Sequence, residues 1–276
     1  MRHVALGVSV LASLLAVAAP ALAQTIRLGE VMVFHMPDLR PGADIKAFEA
    51  YVTTEAAPAW AKGAPGMTLT LVKKDRGPRP GQYLLVWVTD TAARHRAYAA
   101  ASGEFPFSAS LVAKTGDFRT RLAPFVSGPG KYSEFHLVSP EKVRAPLPEV
   151  DVLGNHYIKV RPERVAAFDR FIGERLHPAV GNLRPDLRLL YYKPVRGDEP
   201  GNYITVFALT RASRDKYWPK GQDSDDLRAA FTPSVRALAT ELESFLVGGT
   251  WGINMTAAVY EAKEWGDWLV WGQVLN

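Results

Sequence analysis

The chain has 276 residues, 47% of them apolar, no cysteine and a formal net charge of +5. Disulfides and thiolate metal sites are therefore excluded, so stability must come from a packed core, and the length suffices for one large domain or two ordinary ones. Basic residues are scattered among Asp and Glu without runs, which argues against nucleic acid as a partner.

Met1-Arg-His opens with basic character, and an apolar, small-residue run follows from Val4 to Val17, interrupted by Ser9 and Ser13. Ala21-Leu22-Ala23 then offers a cleavage pattern before Gln24. Residues 1–23 read as a secretory signal peptide, too short and wrongly flanked for a membrane span. The expected location is periplasmic or secreted, with no integral membrane segment after cleavage. Glu30 to Met36 predicts a strand, and Asp44 a capped helix carrying Ile45, Phe48 and Val52 that should fail near Pro58. Met67–Lys73 and Tyr83–Thr89 predict a strand pair around a Gly77–Gly81 loop. Helical material is expected in 92–100 and 107–125, and a fourth strand over Lys131–Val138. Residues 24–138 form this first module, and the proline-bearing 139–150 suit a linker.

The second module, 151–276, repeats the order. Val152–Val160 predicts a strand, Pro162 a first-turn proline for a helix through Phe168 and Phe171, and Leu187–Lys193 with Tyr203–Leu209 a strand pair. Ser224 is expected to cap one long helix from Leu227 to Phe245, with Thr256–Ala262 as the final strand before an aromatic tail. The repetition is also literal. Lys73, Arg76, Gly77, Pro80, Gly81, Tyr83 and Val86 recur as Lys193, Arg196, Gly197, Pro200, Gly201, Tyr203 and Val206, at a constant offset of 120. Ala47-Phe48-Glu49 and Ala167-Phe168-Asp169 keep that offset, as does Pro58 with Pro178. Two distant segments sharing one offset indicate internal duplication.

Each module is thus β-α-β-β-α-β, the ferredoxin-like order, with helices on one face of an antiparallel sheet. Strands such as Val31–Phe34 are apolar on both faces, so the second face also needs a cover. In this duplicated order the chain resembles the dimeric α+β barrel superfamily over residues 26–272. The expected fold class is α+β, two modules forming a pseudo-dimeric barrel within one chain. The resemblance implies cofactor-independent monooxygenases of the antibiotic-biosynthesis type, or haem-binding relatives of chlorite dismutase and dye-decolourising peroxidase, and the fold does not choose between them.

No GxSxG elbow, phosphate loop, dinucleotide fingerprint or HExxH spacing is present. The favoured reading is a small-molecule ligand in the barrel without a cofactor; the alternatives are haem on His156 or His177, and a non-catalytic scaffold. Homo-oligomerisation is left open. His35 and His156 fall at matching places in the first strands and are expected to face one cavity as a pseudo-twofold pair. Arg188 and Tyr192 share one face of a strand, as do Tyr203, Thr205 and Phe207 of the next, and both sets are expected to line the pocket. Arg214, Tyr217 and Trp218 in the stretch from 211 to 226 are expected to close over an anionic or aromatic ligand.

Overall fold

The computed structural model describes residues 25–248, apart from 78–79, 101–106, 129, 144–146, 148, 181–185, 198–200 and 220–222, together with the backbone of 265–270. The expected signal peptide and the strand expected at Thr256–Ala262 lie outside the described residues. After β1 (Ile26–Arg27), the first module comprises β2 (Val31–Met36), α1 (Ile45–Ala50), α2 (Ala57–Gly63), β3 (Met67–Arg76), β4 (Tyr83–Thr89), α3 (Ala92–Tyr98), α4 (Ala109–Lys114), α5 (Phe118–Leu122) and β5 (Lys131–Leu137). The second, after β6 (Glu149–Val150), comprises β7 (Val152–Lys159), α6 (Val165–Phe171), α7 (His177–Val180), β8 (Leu187–Arg196), β9 (Asn202–Leu209), α8 (Arg211–Tyr217), α9 (Asp225–Ala230), α10 (Pro233–Glu243) and β10 (Trp265–Val270).

Three expectations about helices and strands need correction. Asp44 does cap α1, accepting from the Ala47 N–H at 3.0 Å, but the helix does not stop at Pro58. A π-helical segment, Tyr51–Ala56, widens the turn, and α2 continues with Pro58 in its first turn. There the missing N–H costs nothing, because a new helical turn begins. The second module repeats the device, with a π segment at Ile172–Leu176 before Pro178 in α7. The long helix after Ser224 is instead two. Pro233 cannot continue a helix, so Thr232 caps a new one, accepting from the Val235 N–H at 3.4 Å. Finally, the tail expected to follow the last strand contains a strand itself, β10.

The strands close a barrel in the order β10-β3-β4-β2-β5-β8-β9-β7, antiparallel at every pairing. Each half has the ferredoxin-like strand order, and the halves meet at two junctions, β5 with β8 and β10 with β3. Both junctions carry a bulge at the same place. Glu134 pairs Arg196 and Phe135 pairs Pro194, leaving Val195 as the extra residue. Asp267 pairs Arg76 and Trp268 pairs Lys74, leaving Asp75. The last strand therefore matches Glu134 with Asp267, an offset of 133.

Side-chain contacts repeat across the duplication. Tyr83 donates to Glu49, and Tyr203 donates to Asp169 at 2.6 Å. Phe48 meets the edge of Tyr83 at 5.4 Å, and Phe168 that of Tyr203 at 4.7 Å. Strand alternation divides the apolar residues into three layers. One lies between each half-sheet and its helices, around Trp60 and Trp87 in the first module and around Phe168 and Tyr191 in the second. The third fills the barrel, where Met32, Phe34 and Phe135 from one half meet Leu190, Ile204 and Val206 from the other. Ile26 and Leu28 join this interior cluster with Val143, Leu147 and Val150 of the intermodule segment, and β1 pairs β6 beside it.

Candidate functional site

Strand register decides which side chains share the interior. Directly opposed residues lie on one face of a sheet, so Thr70 opposite Val86, Asn155 opposite Val206, and Arg188 opposite Ala208 all point inward. Lys74, two residues beyond Val72, lies on the same face of β3. Thr70, Lys74 and Asn155 are buried, 3%, 7% and 4% exposed. Tyr192 also faces inward, and its hydroxyl donates to the Gly29 carbonyl at 2.9 Å. Burial pushes its phenol well above the ordinary value. The interior is thus apolar with a small number of buried polar groups.

Only Arg188 and Tyr192 of the expected pocket residues lie on this inner face. Tyr191 opposes Thr205 and Leu189 opposes Phe207, so the Tyr203–Thr205–Phe207 face is the opposite one, covered by helices. The two strand sets expected to line one cavity point to opposite sides, because one residue of register inverts every side chain. Thr205 donates to the His156 carbonyl at 3.2 Å. His156 and Trp218 both contact Phe207, each with ring centroids 5.5 Å apart, so the structure gathers His156, Thr205 and Trp218 in the second module's helix layer. Tyr217 packs in the same layer and donates to Asp186 at 2.5 Å. His35 sits in the other module's helix layer, stacked on Tyr132 at 4.0 Å and near Trp87 at 6.4 Å. The histidine pair is therefore split between outer layers and does not face one cavity.

His177 does not fit the role of an axial haem ligand. Its Nε2 accepts the Tyr191 backbone N–H at 3.2 Å, inside the helix layer. Burial pulls the imidazole down to about 4, which keeps it neutral and an acceptor.

The two junctions between modules hold the densest groups of charge. At the β3–β10 junction Arg214, the remaining expected residue, donates to Asp75 at 2.6 Å and to Asp215 at 3.0 Å, while Arg76 donates to Asp215 at 3.1 Å. Burial pulls the Arg214 guanidinium down, but the two carboxylates outweigh it and hold the group above its ordinary value. At the β5–β8 junction Glu134 and His136, two apart on β5, face the helices, and α3 lays His95 against them. His136 Nε2 is 2.8 Å and His95 Nε2 3.3 Å from Glu134 Oε1, and Arg196 Nε is 3.9 Å from Glu134 Oε2. Burial raises the Glu134 carboxyl, but hydrogen bonds to His136 and His95, with their charge, outweigh it and hold it at about 2. The three donor atoms lie within 4.8 Å of one another. The sequence reading passed over this cluster. Glu134-x-His136 on a strand was a visible signal of two donors on one face, whereas His95 joins them only through the fold.

No protein-family model matches the chain, and no curated protein matches it in sequence. Among solved structures, a candidate monooxygenase from Fusobacterium nucleatum subsp. nucleatum superposes with a TM-score of 0.51 at 10% identity, over 89% of this chain and 94% of that one. Another from Lactobacillus acidophilus gives 0.50 at 9%, over 87% and 92%. A mutant chlorite dismutase from Candidatus Nitrospira defluvii gives 0.44 at 11%, over 86% and 90%. The fold is that of the dimeric α+β barrel superfamily. This chain is internally duplicated and supplies both half-barrels of that fold itself.

Proposed function

We propose that the chain is an exported small-molecule-binding protein whose ligand occupies the barrel interior, and that turnover there is oxygenase-like and independent of nicotinamide. The observation that carries this reading is the set of polar side chains Lys74, Thr70, Asn155 and Arg188 on otherwise apolar inner faces. Burying an ammonium or an amide carries a desolvation cost that purely apolar side chains avoid. Such a lining suits a ligand with an apolar body and one anionic or acceptor end. Export is supported by the basic start, apolar run and Ala21-Leu22-Ala23 pattern. The oxygenase reading is supported at the level of fold by the likeness to candidate monooxygenases.

The test is native mass spectrometry of untagged protein recovered from the exported fraction, followed by solvent extraction. The expected mature chain begins at Gln24 and retains a small molecule. Lys74→Met and Arg188→Ala should each weaken retention roughly 10- to 100-fold, the worth of one charge-assisted hydrogen bond. Thr205→Val, on the helix-covered face, should retain the ligand. A wild-type chain that emerges ligand-free, or variants that retain the molecule as tightly as the wild type, would overturn the interior site.

A further inference from the structure

We propose that His95, Glu134 and His136 bind a divalent first-row transition-metal ion, with three protein ligands and open coordination positions on the His136 side. The site lies outside the barrel interior, between β5 and α3, and stands or falls independently of the interior ligand.

The geometry is close to what an ion requires. Metal bonds to nitrogen and oxygen of about 2.0–2.2 Å put neighbouring donors roughly 3 Å apart. The observed separations from Glu134 Oε1 are 2.8 Å to His136 Nε2 and 3.3 Å to His95 Nε2. His95 is also oriented as a metal histidine would be. Its Nδ1 lies 3.3 Å from the Thr89 hydroxyl, which leaves Nε2 to face the carboxylate.

A second observation points to a missing partner. His95 and Glu134 are 1% and 5% exposed, yet His95 Nε2 has only the long 3.3 Å contact with Glu134 Oε1, and Glu134 Oε2 only Arg196 Nε at 3.9 Å, neither a well-formed hydrogen bond. Buried polar atoms are normally satisfied, and each orphan costs about 1–3 kcal/mol. A cation held by His95 Nε2 and the Glu134 carboxylate would supply the missing interaction.

The duplication supplies an internal control. In the repeat, His95 corresponds to Asp215 and Arg196 to Arg76. At that junction Asp215 takes hydrogen bonds from both Arg76 and Arg214. Ion pairing therefore suffices to join the modules there. At the His-Glu-His junction the corresponding Arg196 stays 3.9 Å from Glu134, and two imidazoles stand at the carboxylate in place of a second guanidinium.

The donor set selects the ion. Two imidazoles with one carboxylate suit Zn2+, Fe2+, Co2+ or Mn2+, whereas Ca2+ and Mg2+ prefer oxygen alone. Three protein ligands leave positions for water or an exogenous ligand. His136, with 23% of its side chain exposed, marks the side from which they are reached.

The experiment uses untagged full-length protein, stripped with a chelator and dialysed anaerobically against each of the four ions alone. Metal content is measured by mass spectrometry, and the Co2+ form by visible absorption. The expected result is one ion per chain and a melting temperature raised by it. Glu134→Gln, which keeps the shape, and His136→Ala, the partly exposed member, should each weaken binding at least about 100-fold while circular dichroism shows an intact fold. Substoichiometric uptake of all four ions would overturn the site. So would stoichiometric uptake that either folded variant retains.

Discussion

Replacing one hairpin glycine in each half tests how closely the second hairpin approaches β5. Gly81 and Gly197 both have positive φ, +84° and +78°, where a side chain costs roughly 1–2 kcal/mol. Their surroundings differ. A Cβ on Gly81 would meet nothing within 4 Å, whereas one on Gly197 would lie 1.9 Å from the Tyr132 carbonyl oxygen and 3.1 Å from the Ser133 Cα. Both are backbone atoms of β5, so the strand itself would have to move by more than about 1 Å to regain ordinary contact. That motion displaces the residues immediately before Glu134. Gly81→Ala should therefore cost only the conformational term, a fall of about 2–8 °C in Tm for a chain of this size. Gly197→Ala adds a core overlap and should cost more than about 4 kcal/mol, a fall beyond about 8 °C. Thermal unfolding followed by circular dichroism measures both. Equal falls, or a larger one for Gly81→Ala, would show that the β8–β9 hairpin does not press on β5.

Two further outcomes follow from buried charge. His177 is depressed from 6.5 to about 4 by burial, so the unfolded chain takes up a proton between those values that the folded chain refuses. Its contribution is complete above pH 6.5 and declines as pH falls toward 4, by on the order of 3 kcal/mol; urea titrations from pH 7 to 4 should show this slope, and His177→Gln should flatten it. A double-mutant cycle with Asp75→Asn and Arg214→Met should give a coupling of about 1–2 kcal/mol across the β3–β10 junction, and a coupling within about 0.3 kcal/mol of zero would show the pair to be independent.

The duplication was legible because its most repetitive parts are hairpins and the aromatic–carboxylate contacts behind them. Tyr83 with Glu49 and Tyr203 with Asp169 keep both residue type and spacing. The strand at Trp265–Val270 was not legible in the tail because the constant offset fails there. Extra residues before β10 move it to 133, and the Glu134-Phe135 match with Asp267-Trp268 was too short to stand out. The split of the Ser224 helix was readable from Thr232-Pro233. The π segments were not, since nothing local distinguishes them from ordinary helix. For the site, strand periodicity gave correct faces within each strand, but only register says which faces of two strands agree. That is why Arg188 and Tyr192 part from Thr205, whereas His35 and His156 both face helices, each in its own module's outer layer. His95 is separated from Glu134 by 39 residues, a distance no spacing rule spans.

The order in which the barrel's strands are laid down differs from the order in which they stand. β10 comes last in the chain, yet it sits between β3 and β7. A chain emerging from its first residue can join β5 to β8 early, which gives a hooked ribbon with β3 and β7 as bare edges. Ring closure must wait for residues 265–270, and it links segments some two hundred residues apart, among the slowest contacts to form. Until then both edges offer unpaired backbone to any other extended chain. The interval between synthesis and closure is therefore when this molecule is most exposed to edge-to-edge aggregation.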